Sequence, residues 1–175
     1  MHNLIQGSKD ILAQGENLLN AMSDKEYCNV ISPWFTSSTG EHVRHLLDHY
    51  LAIKSGVESG CIDYDARSRG SEIETNKHAA LALIKDTKQW LSLLSQDDLN
   101  TTLQCSTEVA VTQTLRANAG TTLARELIFA ASHAVHHYAL MAISAQMQQV
   151  NVEHGLGLAP STATFLRDPD TPCAR

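Results

Sequence analysis

Four long segments of this sequence place apolar residues at the three- and four-residue spacing of an amphipathic helix. In the first of them, Leu4, Ile11, Leu18 and Met22 form one continuous stripe. The predicted helices cover about 3–22, 40–59, 73–94 and 122–147. Long connections separate them, so we expect an all-α fold in which four helices pack as a bundle. Bundles of this kind commonly hold metal ions on side chains that point inward.

The ends of these helices and one of the connections carry local signals. Ser38 or Thr39 could cap the second helix, and Thr121 or Thr122 the last, because a hydroxyl there accepts a hydrogen bond from a free backbone N–H. Residues 100–117 are rich in threonine and show short alternating apolar runs. This pattern predicts a small β-hairpin before the last long helix.

The length and charge of the chain narrow its class. With 175 residues, of which 43% are hydrophobic, it is long enough for one domain with a substantial core and short for two. We expect a single domain over 1–175, with the core within about 3–150 and a surface tail over 151–175 in which Phe165 docks locally. The net charge of −6 comes from scattered acidic residues, and no basic stripe is present, which argues against nucleic acid as a partner.

The start of the chain and its cysteines both indicate a cytoplasmic protein. No cationic segment followed by an apolar run opens the sequence, and no apolar run approaches the ~20 residues that cross a bilayer. We therefore expect a soluble protein with no membrane partner. Cys28, Cys61, Cys105 and Cys173 form no C-x-x-C pair, which favours individual reduced thiols over a thiolate zinc site.

Six of the nine histidines fall in two clusters, each within a predicted helix. The clusters are EHVRHLLDHY, with His42, His45 and His49, and ASHAVHHYAL, with His133, His136 and His137. On a helix the first three share an arc of roughly 60°, and His133 and His137 lie about 40° apart. Two facing helices could therefore close several imidazoles around one metal ion.

Neutral imidazole suits divalent zinc, nickel or iron, and two histidines at i and i+4 can chelate one ion. A third imidazole from the facing helix would leave a coordination position open for water or substrate, which is the pattern of a catalytic site. The spacing does not choose among His42, His45 and His49 for that third ligand. Packed or surface histidines without a metal are the alternative interpretation.

Other polar residues near the clusters have both a functional and a structural interpretation. Glu126 could accept a proton from an imidazole, bind the metal or act as a base, yet a glutamate in a first turn also stabilises a helix. Asp63, Asp65, Arg67 and Arg69 could form a polar lid that recognises a charged substrate, or simply be solvated. The sequence contains no nucleotide-binding glycine motif, H-E-x-x-H motif or recognisable Ser-His-Asp order.

Three segments resemble the DinB/YfiT-like superfamily in their order and separation. They are GEHVRHLLDHY, IDYDARSRG and LARELIFAASHAVHHYAL. The resemblance covers most of the chain and implies an up-down-down-up four-helix bundle, commonly dimeric. It also implies a divalent metal held by one histidine of the second helix and an H-x-x-x-H pair of a later helix. These would be His45, with His49 as the rival, and the pair His133 and His137.

This chain has more histidines than that family pattern requires, because His42, His49 and His136 exceed a triad. An alternative ligand or an extended network is therefore open, with Glu126 as a further supporting residue. The resemblance implies a metal-dependent enzyme that activates a low-molecular-weight thiol or water, as a thiol-dependent transferase, an isomerase or a hydrolase. It would act on a small molecule and form a homodimer. The alternative is a non-catalytic helical bundle that binds a partner or a metal.

Overall fold

The chain folds mainly into helices, to which a small sheet is added. The structure is a computed structural model and describes residues 2–168. Its elements in chain order are helices α1 (His2–Ala21), α2 (Asp24–Cys28) and α3 (Thr39–Ser59), strand β1 (Cys61–Asp63), helix α4 (Lys77–Leu93), strands β2 (Thr102–Glu108) and β3 (Arg116–Thr122), and helices α5 (Leu123–Met147) and α6 (Pro160–Arg167). The four predicted long helices correspond to α1, α3, α4 and α5.

The four long helices enclose one apolar core. Helix α1 packs against α4 and α5, and α3 packs against the same two helices. Leu12, Leu47, Ile84, Leu127 and Tyr138 come from all four helices and are fully or almost fully buried within one cluster. Each buried leucine or isoleucine contributes about 1.5–3 kcal/mol through removal of its surface from water. The apolar stripes seen in the sequence therefore stabilise the bundle. That the bundle is of the DinB/YfiT-like type stays a prediction.

The helix ends follow the local signals closely. Ser38, not Thr39, caps α3: its side chain accepts from the Glu41 N–H, and the Glu41 carboxylate accepts from the Ser38 N–H at 2.7 Å. At the other end of α3, Gly60 has a φ of 82°, a left-handed conformation that favours glycine. Thr122, not Thr121, caps α5 by accepting from the Arg125 N–H at 3.3 Å. The reciprocal cap of Ser38 and Glu41 and the one-way cap of Thr122 mark where α3 and α5 begin.

The all-α prediction is only partly right, because the fold includes a three-stranded sheet. The predicted hairpin exists as the antiparallel pair β2 and β3, which extends beyond 117 to Thr122. Strand β1 adds to it in parallel, with Ile62 opposite Cys105. Because side chains alternate along a strand, Leu103 is buried and Cys105 and Thr107 are half-buried. The sheet therefore covers one side of the bundle beside α3 and α5.

One predicted helix boundary was wrong, and the tail has more structure than the sequence indicated. Helix α4 begins at Lys77 instead of 73, because the Asn76 side chain caps it by accepting from two backbone N–H groups, and residues Glu72–Glu74 form a separate 3-10 turn. The predicted tail contains α6, whose Pro160 stands in the first turn, where its missing N–H costs nothing. Phe165 on α6 remains 42% exposed and so docks only in part. The last part of that tail, 169–175 with Cys173, lies outside the described residues.

Helix α5 is long and apolar enough, by length and composition, to cross a membrane. Half of its apolar window is buried inside the fold, and its buried residues include Leu127, Tyr138 and Met141. A core helix of a bundle has the same composition, because it buries side chains on more than one face. Packing within the bundle therefore accounts for the apolar character of α5.

Candidate metal centre

The two histidine clusters meet where α3 packs against α5. His45, His49 and His133 each offer a ring nitrogen, and these three nitrogens lie within 4.8 Å of one another. His45 Nε2 and His133 Nε2 are 2.9 Å apart. Three histidines from two helices are thus close enough to hold a metal ion.

The spacing of the nitrogens fits a shared ion. Two imidazole nitrogens bound about 2.0–2.1 Å from zinc in tetrahedral geometry lie about 3.3 Å apart. The Nε2 atom of His133 lies 2.9 Å from that of His45 and 3.1 Å from that of His137. The same distances suit a hydrogen bond between two neutral rings, in which one nitrogen donates and the other accepts. The donor set contains only imidazole nitrogen, which zinc, nickel and iron all accept.

His137 also lies beside these rings. The predicted trio of His45, His133 and His137 and the trio of His45, His49 and His133 therefore belong to one site. The ring centroids of His45 and His137 are 4.8 Å apart, and those of His49 and His133 are 4.3 Å apart. His133 therefore lies between two candidate third ligands. The sequence left the ligand from the second predicted helix open between His45 and His49. Whether His49 or His137 completes the site beside His45 and His133 stays a prediction.

Two hydrogen bonds at the Nδ1 atoms orient rings of the cluster. His49 Nδ1 lies 3.0 Å from the carbonyl oxygen of His45, an atom that can only accept, so Nδ1 carries the proton and Nε2 keeps its lone pair. His42 Nδ1 lies 3.0 Å from His137 Nδ1. If His137 donates there, its Nε2 likewise faces the cluster with a lone pair. A proton held on the far nitrogen is the usual support for a metal-binding histidine.

Burial keeps the rings of the cluster neutral. Desolvation, reinforced by the neighbouring imidazoles, lowers the pKa of His45 to about 3, that of His133 to about 4 and that of His137 to about 3. Desolvation also lowers the pKa of His42 and of His49. A metal ion binds the neutral imidazole, and these rings stay neutral well below pH 7, so they can bind a metal without first losing a proton.

The remaining predicted candidates lie outside this group of nitrogens. His136 is exposed on α5, with its ring centroid 5.3 Å from that of His137. Glu126 is buried, but its carboxylate accepts hydrogen bonds from the Tyr64 hydroxyl at 2.5 Å and from the Thr121 hydroxyl at 2.6 Å. Both carboxylate oxygens of Glu126 are therefore already used by hydroxyl groups, which explains how a carboxylate can be buried there.

A cavity of about 340 Å³ opens beside the histidines. Its lining comprises His45, His49, Tyr64, Arg67, Cys105, Thr107, Arg125, Glu126, Phe129 and His133. Desolvation raises the pKa of the Cys105 thiol, so this cysteine is a poor thiolate donor for a metal. A larger cavity of about 570 Å³ between α1, α5 and α6 contains no histidine. The chemistry-bearing groups therefore gather at the smaller cavity.

Sequence reasoning missed several residues of this cavity. Tyr64 follows β1, and its N–H donates to the Ser106 carbonyl of β2 at 3.1 Å, which brings its ring beside His49. No local pattern indicates a pairing of strands so far apart in sequence. Phe129 could have been found, because it lies one turn before His133 on the same stripe of α5.

The predicted polar lid is divided by the structure. Asp63 and Asp65 pair with Arg116 of β3, at 2.5 Å and 3.3 Å, and so stabilise the sheet. Arg69 is exposed and lines a neighbouring cavity. Arg67 alone of the four lines the cavity beside the histidines.

No family model matches the chain, and no solved structure matches it. Among curated proteins, it is similar to FK506-binding protein 5 of Rhizopus delemar, with 27% identity over 106 residues. These residues are 61% of this chain and 28% of that protein, so the match spans less than a third of the relative's length.

Proposed function

We propose that this protein is a metal-dependent enzyme that activates a low-molecular-weight thiol or water. The observation that supports this proposal is the meeting of His45, His49 and His133, from two helices, at the edge of a cavity large enough for a small molecule. A purely structural metal site is normally closed by four protein ligands. Three imidazoles beside a cavity are instead typical of a site with an open position.

The chain's own residues would prepare such a site in three ways. The half-buried rings of His45 and His133 stay neutral, so their nitrogens remain available as ligands. The Tyr64–Glu126–Thr121 hydrogen bonds connect the sheet to α5 and fix the wall of the cavity. When bound, a divalent ion of this kind lowers the pKa of a thiol or water at its open position.

The resemblance to the DinB/YfiT-like superfamily supports the same function. It would assign the ligands as His45, His133 and His137, and it adds the proposals of a thiol-dependent transferase, isomerase or hydrolase and of a homodimer. A cytoplasmic location and a small-molecule substrate belong to the same proposal. The tautomer of His49 favours His49 as a rival ligand, since its Nδ1–H already donates to a carbonyl.

A second candidate function is metal binding without catalysis. Five imidazoles lie in continuous contact, from His42 through His137 and His133 to His45 and His49. This exceeds the three ligands that an open catalytic site requires. Such a network would suit a protein that senses or stores a metal ion.

Both candidate functions require a bound metal ion, and elemental analysis of tag-free protein tests for it. We expect near-stoichiometric zinc, nickel or iron in the parent protein and its loss in His133→Ala, because His133 belongs to both candidate trios. The matched control is His78→Ala, which removes one exposed histidine on α4. Equal metal content in all three proteins, or none even after reconstitution, would overturn the proposal.

Two further variants separate the ligand sets and the functions. Loss of metal in His137→Ala but not in His49→Ala supports the family trio, and the reverse result supports His49. Turnover of thiol-transfer or hydrolytic substrates that depends on the metal then favours the enzyme. Metal binding at unit stoichiometry with no turnover across such a panel would favour the non-catalytic alternative.

A further inference from the structure

Two arginines line the cavity beside the histidines from opposite elements. Arg67 lies in the loop after β1, and Arg125 lies in the first turn of α5. The other charged side chain of the lining is Glu126, whose two oxygens already accept from Tyr64 and Thr121. With the histidines neutral, the cavity therefore carries an excess of positive charge in a chain whose net charge is −6.

The loop that carries Arg67 is held in place by several hydrogen bonds. The Ser68 N–H donates to the buried Asp48 carboxylate at 3.2 Å, and Asp48 is itself paired with Arg44 at 3.1 Å. The Arg67 Nε donates to the Tyr64 carbonyl at 3.4 Å. Across residues 2–168, no carboxylate pairs with Arg67, so its terminal nitrogens remain available to a ligand.

Arg125 is arranged in a comparable way. Its guanidinium lies over the ring of Phe129, 5.9 Å from the centroid, and within the described part of the chain it has no acidic partner. It occupies the amino-terminal turn of α5, where a cation opposes the helix dipole. Helix stability therefore does not explain an arginine at this position.

We propose that Arg67 and Arg125 bind the oxyanion group of a small organic substrate, a carboxylate or a phosphate, and place its other end at the histidine cluster. This inference rests on the proposed function and names the substrate class of the same site. The planar guanidinium pairs with both oxyanions through two parallel hydrogen bonds. A cavity of about 340 Å³ is near the lower end for ligand sites, so the substrate is a small metabolite.

Calorimetric titration at constant ionic strength tests this site, with malonate and inorganic phosphate as separate probes. The titrations use protein treated with EDTA, so that a bound metal does not capture the anion. We expect at least about tenfold weaker binding of the preferred probe in Arg67→Gln and in Arg125→Gln, because each loses a charge-assisted hydrogen bond. The matched control is Arg69→Gln, which removes the same charge from the same loop. Arg69 lines only the neighbouring cavity, whereas Arg67 lines both.

Each outcome has a distinct meaning. Tighter binding of malonate assigns a carboxylate substrate, and tighter binding of phosphate assigns a phosphate ester. Unchanged binding in Arg67→Gln and Arg125→Gln, an effect of Arg69→Gln as large as theirs, or no binding of either probe would overturn the inference. Metal content, measured on untreated samples of the same variants, should equal that of the parent protein. If the parent protein holds no metal but still binds anions through these arginines, the proposed metal-dependent function is refuted and the anion site is kept.

Discussion

The hydroxyl of Tyr64 provides a sharp test of how the sheet is joined to the helical bundle. It donates to the buried Glu126 carboxylate at 2.5 Å, and Tyr64 itself is only 7% exposed. In Tyr64→Phe, one oxygen of that carboxylate loses its donor in a place that water reaches poorly. A hydrogen bond to a charged group is worth about 1.5–3 kcal/mol, so we expect the free energy of unfolding to fall by about that amount.

A matched control exists in the same protein. Tyr50 is fully buried on α3, and its hydroxyl has no hydrogen-bond partner among the residues that the structure describes. Tyr50→Phe makes the same chemical change but removes a desolvated, unpaired polar group. We therefore expect it to leave the free energy of unfolding unchanged or to raise it.

Urea unfolding followed by circular dichroism at 222 nm measures both variants. For a chain of this size, the expected loss in Tyr64→Phe corresponds to a Tm lower by about 3–12 °C. If Tyr64→Phe and Tyr50→Phe had the same unfolding free energy within about 0.5 kcal/mol, the Tyr64–Glu126 hydrogen bond would not contribute as argued. A fall in Tyr50→Phe alone would likewise contradict the assignment of its hydroxyl as unpaired.

Two further predictions concern pH and helix packing. In the unfolded chain a histidine has a pKa of about 6.5, whereas in the folded protein the pKa values of His45, His133 and His137 are about 3–4. Because the unfolded state therefore binds more protons, metal-free protein should lose stability as the pH falls from about 6.5 towards 4. A urea midpoint that stays constant from pH 7.5 to 4.5 would contradict this prediction. In Gly15→Ala, the new Cβ would lie 2.5 Å from the Tyr138 hydroxyl oxygen. This clash should push α1 away from α5 and lower the free energy of unfolding, measured in urea, by about 1–3 kcal/mol. The control Gly7→Ala has open space around its new Cβ and should not destabilise α1.

The ion pairs beside the site connect its two proposed functions, metal binding and anion binding. Arg44 of α3, which directly precedes His45, contacts both Asp48 and Glu74, at 3.1 Å and 2.8 Å. Through Asp48, the same network holds the Ser68 N–H and with it the loop of Arg67. One face of α3 thus supplies imidazoles to the cavity, and the neighbouring face positions the loop that lines it.

Local chemistry in the sequence determined the helices, their caps and the faces on which the histidines lie. The Ser38–Glu41 capping box and Gly60 act within a few residues, so the bounds of α3 follow from neighbours along the chain. The spacing of His133 and His137 likewise predicts two imidazoles one turn apart on α5. These properties depend on short-range geometry that is the same in any helix.

The tertiary structure alone decided which of those groups meet. Tyr64 and Glu126 are 62 residues apart, and the parallel pairing of β1 with β2 that brings them together has no local signal. The contact of His45 with His133 depends on how α3 and α5 are rotated against each other, which is set by the packing of the whole core. The residues available to a metal are therefore apparent in the sequence, whereas the set that converges and the cavity beside it result from long-range packing.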